Sequence, residues 1–273
     1  MKQLPNILTL ANLFCGSVAC ILVIERYPII TTNIALFYLF CLSLIFDFLD
    51  GFAARAVKAS SNMGKQLDSL ADVVSFGLLP GLMMVQSFEG TISCNLFQNF
   101  PSQSSYSDLI TFQPFEGTKS LSYFLNGNIS YLVIPFCGLL ITVFSAYRLA
   151  KFNLDKEQTY YFKGLPTPAN AILIFSLYEN SDLLFYIFDT SYYISLLVIT
   201  ALSCWLLVSN IPLFSLKIKN FSWKDNSLVF SFLLIAVILF LIFKMTAVPF
   251  IILTYILLSL IFKKIIIKKS NLD

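Results

Sequence analysis

The sequence has 273 residues, of which 58% are hydrophobic, 16% aromatic and only 12% charged. This composition is too apolar for a soluble domain and predicts an all-α fold, a polytopic membrane helix bundle. The chain contains no histidine, which excludes His-based catalytic triads, a histidine general base and His-ligated metal sites. The net charge of +3 does not favour nucleic-acid binding.

Apolar stretches follow one another along the chain without a long polar linker between two apolar blocks. About eight of them are predicted membrane spans, at approximately residues 7–25, 33–57, 66–87, 130–154, 167–180, 191–211, 226–243 and 247–263. We expect residues 1–217 to form one bundle of about six spans, and residues 218–273 to add two spans and a basic tail. The polar stretch 88–129 is predicted to be a surface loop outside the membrane.

The distribution of basic residues predicts the orientation of the spans. If the N-terminus is cytoplasmic, 15 of the 18 Lys and Arg residues fall on the inside, and only Arg26, Lys119 and Lys244 fall outside. The positive-inside rule therefore predicts that both termini are cytoplasmic in a multi-pass protein of the cell membrane. The same orientation places residues 47–72 on the cytoplasmic side.

Four aspartates, Asp47, Asp50, Asp68 and Asp72, lie in one segment that apolar sequence flanks on both sides. A carboxylate near the centre of a membrane helix raises the free energy of membrane insertion by roughly 2.5–3.5 kcal/mol. The presence of four carboxylates in such a segment therefore requires an explanation. The spacings i, i+3 and i, i+4 place each pair on one helix face. Two helices joined by a short turn would bring the carboxylates together, where they repel unless cations lie between them. Oxygen ligands suit Mg²⁺, Mn²⁺ or Ca²⁺.

Other residues of this segment suit a phosphate ligand. Gly51 and Gly64 leave room for a ligand to approach the backbone. Arg55 is a fixed cation that can pair with phosphate. The alternative is an acid-rich cytoplasmic loop that only caps two helices, and the residues by themselves leave both interpretations open.

The whole pattern resembles the signature of the CDP-alcohol phosphatidyltransferases. It reads Asp47-x2-Asp50-Gly51-x2-Ala54-Arg55-x8-Gly64-x3-Asp68-x3-Asp72, with eight specified residues over 26 positions. The resemblance implies two divalent metal ions, Mg²⁺ or Mn²⁺, that the four aspartates bind and that hold the diphosphate of a CDP-linked lipid. It also implies that Asp72 is the general base, and that the CDP part contacts Gly51, Ala54, Arg55 and Gly64.

A second polar stretch lies at the cytoplasmic end of the fourth predicted span. Arg148 and Lys151 are spaced i, i+3 and share a helix face. They are either interfacial anchors that snorkel to the membrane surface, or an anion site for phosphate or a substrate carboxylate. Residues 162–169, Phe-Lys-Gly-Leu-Pro-Thr-Pro-Ala, predict a turn into the fifth span.

These two stretches together resemble the phosphatidylserine synthase branch of the family, with Lys151 where that branch usually has Arg. The resemblance covers about residues 4–217 and implies transfer of a phosphatidyl group from CDP-diacylglycerol to L-serine, with release of CMP. It implies that Arg148 binds the serine carboxylate or the lipid phosphate, with Lys151 beside it. It also suggests a homodimer in the lipid bilayer.

Three other functions compete with this one. Within the family, the acceptor could be glycerol 3-phosphate, inositol phosphate or another phospholipid. A cation transporter would use the carboxylates as an ion path, but it predicts acids spread over several spans. A non-catalytic scaffold fits the apolar bundle and leaves the paired aspartates unexplained.

Overall fold

The computed structural model describes residues 3–25, 30–57, 62–98, 133–154, 161–188, 192–214 and 223–263, most of which are helical. The helices are α1 (Leu4–Glu25), α2 (Ile30–Ala56), α3 (Asn62–Asp72), α4 (Leu79–Gln98), α5 (Leu140–Leu154), α6 (Thr167–Glu179), α7 (Ser181–Phe188), α8 (Tyr192–Val208), α9 (Trp223–Phe243) and α10 (Val248–Ile261). A π-helical turn, Val73–Leu78, joins α3 to α4. Two 3₁₀ turns, Ile134–Leu139 and Lys244–Ala247, precede α5 and α10.

Several of these helices are long and apolar enough to cross a membrane. Among the described residues, these are the four stretches Leu4–Glu25, Asn33–Ala56, Asn62–Gly90 and Ile134–Leu154. Helices α6 and α7 pass the same test only together, and they meet at 70°, as in a broken span or a re-entrant pair. Shorter apolar stretches follow in α8, α9 and α10. The prediction of a helical membrane protein is confirmed, and the total of eight spans stays a prediction.

Helix α4 extends further than the sequence predicts. The expected loop begins at residue 88, whereas the helix continues to Gln98, so the first part of that prediction is wrong. Packing accounts for the start of this extension, because Phe88 is completely buried and its ring meets Tyr193 edge-on at a centroid distance of 5.7 Å. Burial of this kind overrides weak local helix propensity. The rest of the predicted loop, 99–129, lies outside the described residues.

The core lies between the amino-terminal helices and α6. Helix α1 packs mainly on α2, and also on α3, the π turn and α4. At the centre, the rings of Phe40 and Phe175 stack in parallel with centroids 4.5 Å apart, and Phe76 from the π turn meets Phe40 edge-on. This packing holds α2 and α3, the two helices that carry the aspartates, against α1.

A small β-ribbon interrupts the helical bundle, which the all-α prediction does not include. Strand β1 (Tyr161–Lys163) pairs antiparallel with β2 (Pro212–Phe214). Gly164 follows β1 with φ 78°, and a Cβ atom there would lie 2.7 Å from the Ser209 carbonyl oxygen. Only glycine fits this turn without strain. The ribbon therefore fixes the point at which the chain enters α6.

The described part of residues 218–273 packs on this ribbon. Phe214 of β2, Phe232 of α9 and Tyr255 of α10 form a buried aromatic cluster, and the Tyr255 hydroxyl donates to the Phe214 carbonyl oxygen at 2.7 Å. Helix α10 also contacts α6. The two C-terminal helices carry no recognisable sequence motif, but they support the ribbon and the start of α6.

Candidate active site

Three of the predicted aspartates meet between α2 and α3. One carboxylate oxygen from each of Asp47, Asp50 and Asp68 lies within 4.8 Å of the other two. Asp47 and Asp68 are partly buried, and Asp50 is only 5% exposed. Ionised carboxylates this close repel each other strongly, and a cation between them removes that repulsion. An all-oxygen donor set of this kind fits Mg²⁺, Mn²⁺ or Ca²⁺.

Asp72, the fourth aspartate, lies at the end of α3 and is also buried. Its carboxyl interacts electrostatically with the three others and lies within hydrogen-bonding reach of Asp47. It is 8% exposed, and its Oδ1 atom has no hydrogen-bond partner. A buried polar atom without a partner costs about 1–3 kcal/mol. This oxygen can therefore bind a metal ion or accept a proton from a bound substrate.

The other residues of the signature surround the carboxylates along α2 and at the start of α3. Gly51 and Ala54 are partly buried, and so is Gly64 near the first turn of α3. Arg55 is exposed, and its Nη1 atom lies 3.9 Å from a Cβ atom built on Gly51. The guanidinium thus reaches back along α2 to the turn that carries Asp50.

Arg148 is buried in α5, which argues against a snorkelling anchor. It is 7% exposed, and its Nη1 atom donates to Thr167 Oγ1 at 2.8 Å. The guanidinium interacts electrostatically with Asp72 and lies 6.0 Å from the ring centroid of Phe152. Its Nε atom has no hydrogen-bond partner. An anchor would extend its charged head towards water, whereas a buried guanidinium with a spare N–H suits an anionic ligand.

The side chain of Lys151 extends in a different direction from that of Arg148. Its Nζ atom donates to Asn210 Oδ1 at 3.2 Å, next to the ribbon. Both cations nevertheless line one small cavity of about 10 Å³, too small for a substrate, together with Phe152, Lys163, Leu207 and Val208. Its described lining contains three cations and no acid, so the electrostatic potential around it is positive. A wider cleft of about 510 Å³ adjoins it at Val208 and does not include the aspartates.

Two residues of this site, Thr167 and Thr9, are hydrogen-bond partners that the sequence pattern does not predict. Thr167, at the start of α6, accepts the hydrogen bond from Arg148, and Thr9 of α1 donates to Asp50 Oδ2 at 2.6 Å. Thr167 lies within the predicted turn motif, and Thr9 is a polar residue in an apolar span. Those positions draw attention to both residues, but the sequence does not reveal their partners.

Comparisons with known proteins agree with the site. The model of the CDP-alcohol phosphatidyltransferase family matches residues 2–98, which include all four aspartates. A CDP-diacylglycerol–serine O-phosphatidyltransferase of Bacillus subtilis is 29% identical over 187 residues, covering 67% of this chain and 81% of that protein. The Methanocaldococcus jannaschii protein of the same name is 31% identical over 138 residues, or 50% of this chain and 47% of that protein.

A further relative has a related name. An archaetidylserine synthase of Methanothermobacter thermautotrophicus is 28% identical over 177 residues, covering 64% of this chain and 57% of that protein. The chain thus spans most of the Bacillus relative and about half the length of the two archaeal ones. The names of all three refer to products or substrates that contain serine.

Proposed function

We propose that this chain, whose residues 2–98 match the model of the CDP-alcohol phosphatidyltransferase family, is an integral-membrane enzyme that transfers a phosphatidyl group from CDP-diacylglycerol to L-serine and releases CMP. The observation that carries the proposal is the convergence of Asp47, Asp50 and Asp68, with Asp72 beside them. The names of the relatives support serine as the acceptor. The buried Arg148, an unusual residue for an apolar bundle, supports an acceptor that carries a carboxylate.

Two divalent ions, Mg²⁺ or Mn²⁺, would be held by Asp47, Asp50, Asp68 and Asp72. When bound, they supply positive charge that neutralises the diphosphate and the leaving CMP oxygen. The CDP part of the lipid would contact Gly51, Ala54, Arg55 and Gly64.

The protein side chains perform the remaining steps. Asp72, through its unpartnered Oδ1, accepts the proton of the serine hydroxyl. The hydroxyl oxygen then forms a bond to the phosphorus next to the diacylglycerol, and the bond from that phosphorus to the CMP oxygen breaks. Arg148 donates from Nε to the serine carboxylate, while its Nη1 stays on Thr167. Lys151 lies beside Arg148, and its positive charge favours an anionic acceptor over a neutral one.

The test of this function is CMP release by the purified protein. CDP-diacylglycerol is supplied with one alcohol at a time: L-serine, glycerol 3-phosphate, inositol phosphate or glycerol. We expect rapid release with L-serine in the presence of Mg²⁺ or Mn²⁺, and none after chelation. Faster CMP release with another alcohol would show that this alcohol, and not serine, is the acceptor. Uptake of the metal into vesicles without any CMP release would favour the transporter.

The proposed topology has eight spans, with both termini and the Asp47–Asp72 segment on the cytoplasmic side. The 15 basic residues assigned to the inside support it. In a variant without native cysteines, a membrane-impermeant maleimide added to intact cells should label a cysteine at position 119. It should not label one at position 58 until the membrane is opened. Labelling of position 58 in intact cells would show that the orientation is opposite to the one proposed.

A further inference from the structure

One face of α1 is polar and buried, although α1 is a strongly apolar helix. Thr9 and Asn12 are 3% and 0% exposed, and Gly16 is also buried. The intervals of three and four residues place all three on one helix face. This face meets α2 and the segment formed by α3 and the π turn, which are the elements that carry the four aspartates.

Thr9 contacts one of these aspartates directly. Its Oγ1 atom lies 2.6 Å from Asp50 Oδ2 and 3.0 Å from the Pro5 carbonyl oxygen. A hydroxyl has one proton to donate. The carboxylate is the stronger acceptor and the closer one, so the proton belongs to the bond with Asp50. This bond joins residues 41 positions apart in the sequence.

The same face of α1 is hydrogen-bonded both to α2 and to the π turn that follows α3. Ser43 of α2 donates to Asn12 Oδ1, and Ser75 of the π turn donates to the Asn12 carbonyl oxygen at 3.2 Å. At Gly16, a Cβ atom would lie 2.9 Å from Ser75 Cα, so the absence of a side chain allows this approach. Helix α1 therefore holds the two aspartate-bearing elements at a fixed separation.

We infer that Thr9 is a positioning residue for the metal site. Repulsion from Asp47 and Asp68 tends to rotate the Asp50 carboxylate away from them. The Thr9 hydroxyl opposes this rotation and keeps an Asp50 oxygen within 4.8 Å of oxygens from the other two. The inference rests on the proposed metal site and adds a residue to it that touches neither metal nor substrate. Loss of such a supporting hydrogen bond typically weakens metal affinity about 10- to 100-fold.

The test measures Mn²⁺ binding to the purified protein without lipid substrate, from the electron paramagnetic resonance signal of free Mn²⁺. Thr9→Val keeps the shape of the side chain and removes the hydroxyl, and it should weaken Mn²⁺ binding about 10- to 100-fold. Thr9→Ser restores the hydroxyl and should bind Mn²⁺ nearly as tightly as the parent. The matched control is Thr200→Val, because Thr200 is equally buried but donates only to the Leu196 carbonyl oxygen at 2.8 Å.

The outcomes separate this inference from the function on which it rests. Parent protein that binds no Mn²⁺ would refute the metal site itself. Parent-like binding by Thr9→Val would overturn the inference and leave the metal site intact. Binding by Thr9→Ser as weak as by Thr9→Val would also overturn it, because the hydroxyl would then not carry the effect. Thermal unfolding without metal checks that each variant folds, and Thr9→Ala provides the same comparison if valine prevents folding.

Discussion

Asp72→Asn should lower the turnover of L-serine by at least ~10²-fold, which is the lower range for loss of a general base. The change keeps the shape of the side chain but replaces the basic, unpartnered Oδ1 position by an amide. Three of the four carboxylates remain, so the apparent affinity for CDP-diacylglycerol should change much less than kcat. Steady-state CMP release, measured as a function of each substrate, gives both quantities.

Two variants serve as controls for Asp72→Asn. Asp47→Asn removes a carboxylate from the cluster in which three oxygens lie within 4.8 Å, so it should weaken metal and CDP-lipid binding together. Asp182→Asn alters an exposed aspartate of α7 and should behave as the parent. If Asp72→Asn turns over serine at close to the parent rate, another group takes the proton and the assignment of the base is wrong.

Arg148→Ala should reduce kcat/KM for L-serine by about 10- to 100-fold, because a hydrogen bond to a charged group is worth roughly 1.5–3 kcal/mol. Arg148→Lys should lose less, since the charge stays and only the planar fork is lost. The loss should be smaller for L-serinamide, which has no carboxylate. The measurement is the saturation curve for each acceptor at a saturating concentration of CDP-diacylglycerol.

The substrate whose saturation curve changes in Arg148→Ala is the one that Arg148 binds. If it binds the lipid phosphate instead, Arg148→Ala will raise the apparent KM for CDP-diacylglycerol and leave the serine curve unchanged. If neither curve moves, Arg148 is a structural residue whose bond to Thr167 only joins α5 to α6. Thr167→Val is the matched control, because it removes that bond and keeps the guanidinium.

The aspartate cluster could be predicted because its geometry is local. Asp47 and Asp50 are three residues apart, and Asp68 and Asp72 are four apart, so helical periodicity alone places each pair on one face. The short connection between α2 and α3 then leaves few ways for the two faces to meet. The apolar flanks likewise predict membrane helices, and α1 and α2 are long and apolar enough to cross a membrane.

The contacts that support the cluster could not be predicted in this way, because they join distant parts of the chain. The Thr9–Asp50 bond spans 41 positions, and three helices, α6, α7 and α8, lie between Phe162 and its strand partner Leu213. Periodicity tells which face of a helix is buried, but not which element covers it. The continuation of α4 past residue 87 likewise begins with a contact between distant residues, the packing of Phe88 against Tyr193 of α8.

The π turn between α3 and α4 shifts the rotational phase of the long helix that contains it. Each residue of an α-helix advances about 100° around the axis, and a π turn accommodates one extra residue. The face that carries Asp68 and Asp72 is therefore offset by about one residue from the face of α4 that buries Met83. Thr142 of α5 donates to the Gly77 carbonyl oxygen at 3.1 Å within the turn. As a result, α3, which carries the aspartates, and α4, which packs in the core, are rotated relative to each other about their shared axis. Each can therefore turn its own face towards its neighbours.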